Sequence, residues 1–227
     1  TTLFGTEEFP VQSSTLTSLV LEDSGLGEAA LPLQSADFVI PHSSHVHFDS
    51  PFWMYNLVNR GTMKHRESSL HIQGNFDFEN GNYVSDNGNL VVGGGLYVED
   101  GVFNAGNGHI ELTSDFYESF ELLGGQFIAP NGVFTLRTDW YHTGGKFDPN
   151  GGTVVFEGTT HTLDSTSDVR FNNLVVHLDD ESQLEQVRDT VVHVDGELRL
   201  IDGQVVGGDI VVEGAVVHAP TFDGGTS

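Results

Sequence analysis

Apolar residues recur in this chain at two superposed periods, alternating with polar ones over short runs and returning at about twenty residues. Leu70, Leu90, Ile110, Phe134 and Val154 mark one recurring position, and Ile72, Val92, Leu112, Leu136 and Phe156 mark another two residues further on, with residues such as His71 and Glu111 between them. An alternation of two sends successive side chains to opposite faces of a strand, so each pair predicts a half-buried strand. Ahead of each pair stands a glycine, Gly61, Gly81, Gly101, Gly125 or Gly145, followed two residues later by Met63, Tyr83, Phe103, Phe127 or Phe147. A further inward position runs Phe76, Leu96, Phe116 and Trp140. A unit this short cannot enclose a core, and its copies must stack and share one.

The pattern predicts an all-β chain folded as a right-handed parallel β-helix, a β-solenoid with rungs of about 20 residues, roughly seven to nine of them over residues 41–220. Residues 1–40 fall outside the repeat and read as an N-terminal cap or a strand arm donated to a neighbour, with Leu16, Leu19 and Leu21 as its assembly residues. Residues 221–227 read as a flexible tail. The spans from Val46 to Gly61 and from Ile110 to Gly125 are longer than their equivalents, which predicts a loop or bulge at one corner. Asn87-Gly88, Asn107-Gly108, Asn131-Gly132 and Asn150-Gly151 predict turns with positive φ and a ladder of stacked asparagine amides. Beyond Phe156 the register loosens. Val192, Val194, Gly196, Leu198, Leu200 and Gly203 then repeat the spacing of Leu70, Ile72, Gly74, Phe76, Phe78 and Gly81, while Leu174, Val176, Ile210 and Val212 fit a shorter turn.

Composition narrows the partners. With 33 acidic residues against 8 lysines and arginines, the net charge of −25 repels nucleic acid and anionic membrane surfaces. Only Lys64 and Lys146 are lysines. Such a surface suits high salt or a calcium-rich exterior. The chain has no cysteine, so disulfides and thiolate metal sites are excluded. No apolar run reaches the roughly 18 residues of a membrane span, so membrane insertion is not expected. A chain opening at Thr1 fits an exported protein whose leader has been removed, or a trimmed one.

Residues 147–159 (FDPNGGTVVFEGT), followed by Phe171-Asn172-Asn173-Leu174-Val175-Val176, resemble repeats of large secreted and cell-surface β-solenoid proteins of bacteria and archaea. In these a glycine-asparagine turn leads to a T-V-x-F-x-G strand and then to F-N-N-L. The resemblance implies an extracellular structural, adhesive or surface-anchored role and brings no catalytic residues with it.

Three outward constellations are candidates for chemistry. Asp115 and Asp139 fall in one column of successive rungs, about 4.8 Å apart by strand spacing, where calcium would be the cation they hold. With Arg137 nearby they resemble, in residue type only, the acidic site of a polysaccharide lyase, and an Arg137–Glu157 surface pair is the plainer reading. Tyr97, Tyr117 and Tyr141 fall in one outward column that would stack on extracellular glycans, on a neighbouring subunit, or only on itself. His42, His45 and His47 are either polar strand residues or a transition-metal site. There is no G-x-S-x-G, H-E-x-x-H or P-loop pattern, so an enzyme is not expected. The expectation is an extracellular structural subunit of a filament, sheath or surface layer, a homopolymer built by end-to-end stacking and N-terminal strand donation. A carbohydrate-binding adhesin and a lyase-like enzyme are the alternatives.

Overall fold

The computed structural model describes residues 19–21, 37–48, 51–114 and 118–226. They form a three-sided β-solenoid of about nine coils in which every strand pairing is parallel. Most described coils contribute one short strand to each side, in a fixed cyclic order. Face 1 stacks Leu19–Leu21, His45–Phe48, Thr62–His65, Asn82–Ser85, Val102–Asn104, Gln126–Ile128 and Lys146–Asp148. A separate three-stranded sheet of Val169–Phe171, Val191–Val194 and Asp209–Val212 follows them, joined by the edge-on packing of Phe171 against Phe147. Face 2 runs from Phe52–Met54 through Ser69–Ile72, Asn89–Val92, Ile110–Leu112, Val133–Leu136, Thr153–Gly158 and Asn173–Leu178 to Ala215–His218. Face 3 runs from Asp37–Ile40 through Asn56–Asn59, Phe76–Phe78, Leu96–Val98, Ser119–Leu122, Asp139–His142, His161–Ser165 and Gln183–Gln186 to Phe222–Thr226. Near the C-terminal end one long strand, Glu197–Val206, turns the corner without a break and pairs on both faces 2 and 3.

The predicted inward columns of face 2 are in register: Leu70, Leu90, Ile110, Phe134 and Val154 pair in sequence, as do Ile72, Val92, Leu112, Leu136 and Phe156. All are buried. On face 1, Met63, Tyr83, Phe103, Phe127 and Phe147 form the expected column. Its rings lie nearly parallel, with centroids 4.2 Å apart for Tyr83–Phe103, 4.9 Å for Phe103–Phe127 and 6.0 Å for Phe127–Phe147. The turn glycines have a steric reason. Gly101 has φ of 83°, and a Cβ there would lie 2.4 Å from the carbonyl oxygen of Gly81 in the coil below.

Several details differ from the sequence reading. The inward residue beside Leu96 and Trp140 is Phe120, not Phe116, because the extra residues of that coil precede the strand Ser119–Leu122. Phe116 lies outside the described residues. Val46 pairs with Met63 on face 1, so its span to Gly61 holds two further strands, Phe52–Met54 and Asn56–Asn59, and no single inserted loop. Val192 and Val194 lie on face 1, paired with Val169 and Phe171 and then with Ile210 and Val212. Leu174 and Val176 lie on face 2, paired with Val154 and Phe156 and with Leu198 and Leu200. Val192, Val194, Leu198, Leu200, Ile210 and Val212 are thus one face away from where spacing put them, while Leu174 and Val176 lie in the columns of Leu70 and Ile72. Gly88, Gly108 and Gly132 are not among the positive-φ residues, whereas Asn150 and Gly151 are. The former are glycine for close approach, since a Cβ on Gly108 would sit 2.0 Å from Gly88 O. The asparagine ladder forms in part, with Asn107 Nδ2 donating to Asn87 Oδ1 at 3.2 Å.

The boundaries also move. Asp37–Ile40 is already a strand of face 3, and Leu19–Leu21 pairs within the chain with Val46–Phe48, so part of residues 1–40 belongs to the solenoid. Phe222–Thr226, read as tail, pairs with Gly203–Val206.

Replacing Phe103 by alanine removes the centre of the ring column. The expected loss is about 3–5 kcal/mol, read as a lower urea midpoint in equilibrium unfolding followed by circular dichroism.

Candidate functional site

With the inward columns occupied by the core, the outward side chains of face 3 offer the densest polar chemistry. One column runs Asp77, Tyr97, Glu121, Tyr141 and Asp164 through successive strands. The expected ladder of three tyrosines is therefore not contiguous. Glu121 stands between Tyr97 and Tyr141, and Tyr117 lies outside the described residues. The ring of Tyr97 folds back over Gly95, where a Cβ would meet its phenol carbon at 2.4 Å, and its hydroxyl donates to Glu118 Oε2 at 2.6 Å. Burial and the neighbouring Glu118 raise the pKa of this phenol well above its ordinary value. Tyr141 donates to Asp139 Oδ2 at 3.2 Å and is also shifted up, first by burial and then by Asp139.

Asp139 does not meet a second aspartate among the described residues. Its strand partner is Ser119, and Asp115 lies outside the described residues. The carboxylate is engaged locally: Oδ1 accepts the backbone N–H of Thr162 at 2.7 Å and lies 4.0 Å from Nδ1 of the buried His161. Arg137 does pair with Glu157 across the strands, at 3.2 Å. Asp77 has its pKa raised, first by burial and then by the crowd of Glu79, Asp37, Glu99 and Glu118. Glu79 is held down by a bidentate contact from Arg60 at 2.5 and 2.8 Å. Arg188 takes Asp164 in the same manner.

Of the other sequence candidates, Leu16 lies outside the described residues, while Leu19 and Leu21 stand in register with Val46 and Phe48. His45 and His47 alternate with buried residues on face 1, and they form no metal-ligand group with His42. Among the described residues the group of three close ligand-type side chains is Asp180, Asp202 and Asp223, with oxygens within 4.8 Å of one another. Three carboxylates from neighbouring coils are the donor type a hard cation takes, but two of them serve the backbone: Asp202 accepts from Gly203 N and Asp223 from Glu181 N. Sequence reading missed this column. The Asp-Gly pairs at 202–203 and 223–224, one coil apart, were the available signal.

Two interior histidines are also outside the sequence reading. His65 is fully buried, with Nε2 2.6 Å from Ser68 O and Nδ1 3.2 Å from the Tyr83 hydroxyl. Nε2 must donate to the carbonyl, so Nδ1 accepts from Tyr83. Burial lowers the pKa of both His65 and His142.

The chain matches no family model, no curated protein and no solved structure.

Two outcomes follow. An unfolded chain protonates His65 and His142 near 6.5, whereas the folded chain holds them neutral to lower pH, so the stability of burying them neutral is complete above 6.5 and is lost on acidification. Asp77, shifted up, acts in the opposite sense, and only lower in the carboxylate range. The melting temperature should fall between about pH 7 and about pH 5.5, with a shallower slope in a His65→Gln, His142→Gln variant. Asp139→Ala should lower stability by about 1–3 kcal/mol in urea unfolding, because it strands the Thr162 N–H.

Proposed function

We propose that this chain is an extracellular structural subunit, built into a filament, sheath or surface layer by stacking its end coils on those of other copies. The observation that supports this reading is the unbroken parallel stacking of the described coils, a pattern that a second copy can continue. Val216 stands in register with Leu198, yet it is 56 % exposed where Leu198 is 5 % exposed. All of Ala215–His218 is exposed, and Ile210 and Val212 are only partly covered. Among the described residues no strand lies beyond Asp209–Val212, Ala215–His218 or Phe222–Thr226. At the opposite end Ile40 and Phe48 are fully buried. A coil laid on these strands supplies the apolar burial and the row of backbone hydrogen bonds that every earlier coil receives from its successor.

A second copy stacked head to tail has the complementary features. Leu19–Leu21 and Asp209–Val212 occupy the corresponding strand position of their coils, and all pairings of the fold are parallel. Such a copy brings the outer edge of its Leu19–Leu21 strand to Asp209–Val212, so that the Val192–Ile210 column runs on into Leu19–Val46. The N-terminal strand then donates an edge to the neighbour while staying paired in its own chain. This contact is heterologous and does not close on itself, the geometry of a fibre. The resemblance of residues 147–176 to surface solenoid repeats supports an extracellular setting, and so does the acidic, lysine-poor composition. The adhesin alternative loses its main support, since Glu121 interrupts the tyrosines.

Purified chain should form filaments one solenoid wide in negative-stain electron microscopy. Val216→Asp should raise the concentration needed for assembly at least about tenfold, equivalent to about 1.4 kcal/mol, with the β-sheet circular dichroism kept. Val217→Asp, on the outward side of the same strand, should assemble like the parent. Parent protein that stays monomeric by light scattering at high concentration overturns the reading.

A further inference from the structure

Five asparagines of this chain are followed by glycine: Asn80, Asn87, Asn107, Asn131 and Asn150. Such a pair is open to an intramolecular reaction, because glycine has no side chain to shield its own nitrogen from the preceding carboxamide. The fold treats the five differently. Asn87 Oδ1 accepts from Asn107 Nδ2 at 3.2 Å, which ties these two amides to each other across coils. Asn150 Nδ2 donates to Ala129 O at 3.1 Å and to Gly106 O at 3.5 Å. Asn131 Oδ1 is turned to the next coil, where a Cβ on Gly151 would lie 3.2 Å from it. Of the five, it is Asn80 that turns its carboxamide onto its own successor, with Gly81 N–H donating to Asn80 Oδ1.

That contact assembles a reactive pair. Oδ1 is bonded to Cγ, so Cγ is held beside the Gly81 nitrogen, the placement needed to close a five-membered ring. The inter-coil ladder does not compete for this nitrogen. Asn80 N and Asn82 N donate to Asn59 O and Gly61 O of the coil below, at 3.3 and 2.9 Å, whereas Gly81 N donates to the side chain. Asn80 is exposed, so water reaches it, and its Nδ2, the group that has to leave, donates to no acceptor among the described residues.

We propose that the folded chain deamidates at Asn80 and accommodates aspartate there. The Gly81 nitrogen loses its proton to solvent and bonds to Cγ; the Cγ–Nδ2 bond breaks and ammonia leaves, forming a succinimide. Water then opens the ring at Cγ, giving aspartate, or at the main-chain carbonyl carbon of residue 80, giving isoaspartate. The net exchange is one water taken up and one ammonia released. Aspartate reproduces a contact the fold already makes twice, since Gly101 N donates to Asp100 Oδ1 at 2.7 Å and Gly203 N to Asp202 Oδ1 at 2.9 Å. Gly81, Gly101 and Gly203 share positive φ, at 99°, 83° and 81°. Asp100 stands at the same corner one coil on, just ahead of Val102, the partner of Asn82. Isoaspartate instead adds a carbon to the backbone where there is no slack: a Cβ on Gly81 would already lie 2.0 Å from Gly61 O.

The test ages the full-length protein at mildly alkaline pH, once folded and once in urea. Peptide mass spectrometry follows each site by the mass gained when amide becomes acid, and electron-transfer fragmentation tells aspartate from isoaspartate. In the folded protein Asn80 should react at least about tenfold faster than each of the other four, because it is the one held in the attacking arrangement. In urea the five rates should converge, since the contacts that separate them are gone. Asn80→Asp should keep the β-sheet circular dichroism of the parent. The proposal is overturned if folded Asn80 stays intact or reacts no faster than the others, or if its lead persists in urea, where neighbouring residues alone would set it. Loss of the β-sheet signal in Asn80→Asp overturns the accommodation of aspartate.

Discussion

Parallel, in-register stacking of each strand on its counterpart one coil away is the constraint from which the rest of this structure follows. Residues about twenty positions apart are held at strand spacing, so every position must tolerate its own kind above and below it. Aromatic rings tolerate this well, which is why Tyr83, Phe103, Phe127 and Phe147 can lie nearly parallel in one file. Asparagine amides tolerate it because each has both a donor and an acceptor, as in the Asn107–Asn87 contact. Carboxylates tolerate it poorly, and where Asp180, Asp202 and Asp223 do stack, backbone N–H groups hold two of them. Two anions one strand apart repel by about 1 kcal/mol even with the dielectric constant of water. The outward column of face 3 alternates carboxylate with tyrosine, Asp77, Tyr97, Glu121, Tyr141 and Asp164, and thereby keeps its anions two strands apart.

Much of this architecture could be read from residue order because the repeat carries its own ruler. Leu70 to Val154 and Ile72 to Phe156 were placed correctly by counting from the glycines. Counting failed where the ruler lost a mark. Phe116 and Phe120 both satisfy an alternation of two, and only the position of the inserted residues, ahead of Ser119, decides between them. The same ambiguity shifted Tyr117 into a column that belongs to Glu121. Farther on, Val192-x-Val194 and Leu174-x-Val176 are equivalent patterns on different faces, and a period of two does not say which side of a three-sided coil a strand occupies. The Asp180, Asp202 and Asp223 group and the environment of His65 depend on corner geometry, which leaves no periodic trace.

The distribution of roles follows from this division of the surface. Inward positions are spent on the core, and corner positions are spent on glycine and asparagine contacts between coils. What remains is the set of outward columns, which differ between faces in the density of their charge.

The order of side chains along the axis also divides the rod into an aliphatic and an aromatic stretch. Toward the C-terminal coils the core is built of the aliphatic Leu174, Leu184, Val192, Leu198 and Ile210, whereas the chain before them carries the rings of Phe171, Phe156, Phe147 and Trp140. Since each coil is held only by its neighbours, opening spreads as fraying does in a one-dimensional chain, easily through the aliphatic stretch and with difficulty once it reaches the rings. The aromatic segment is therefore a brake set part-way along the molecule. Under heat or tension the aliphatic coils can come loose and rewind while the aromatic ones keep the template on which they refold.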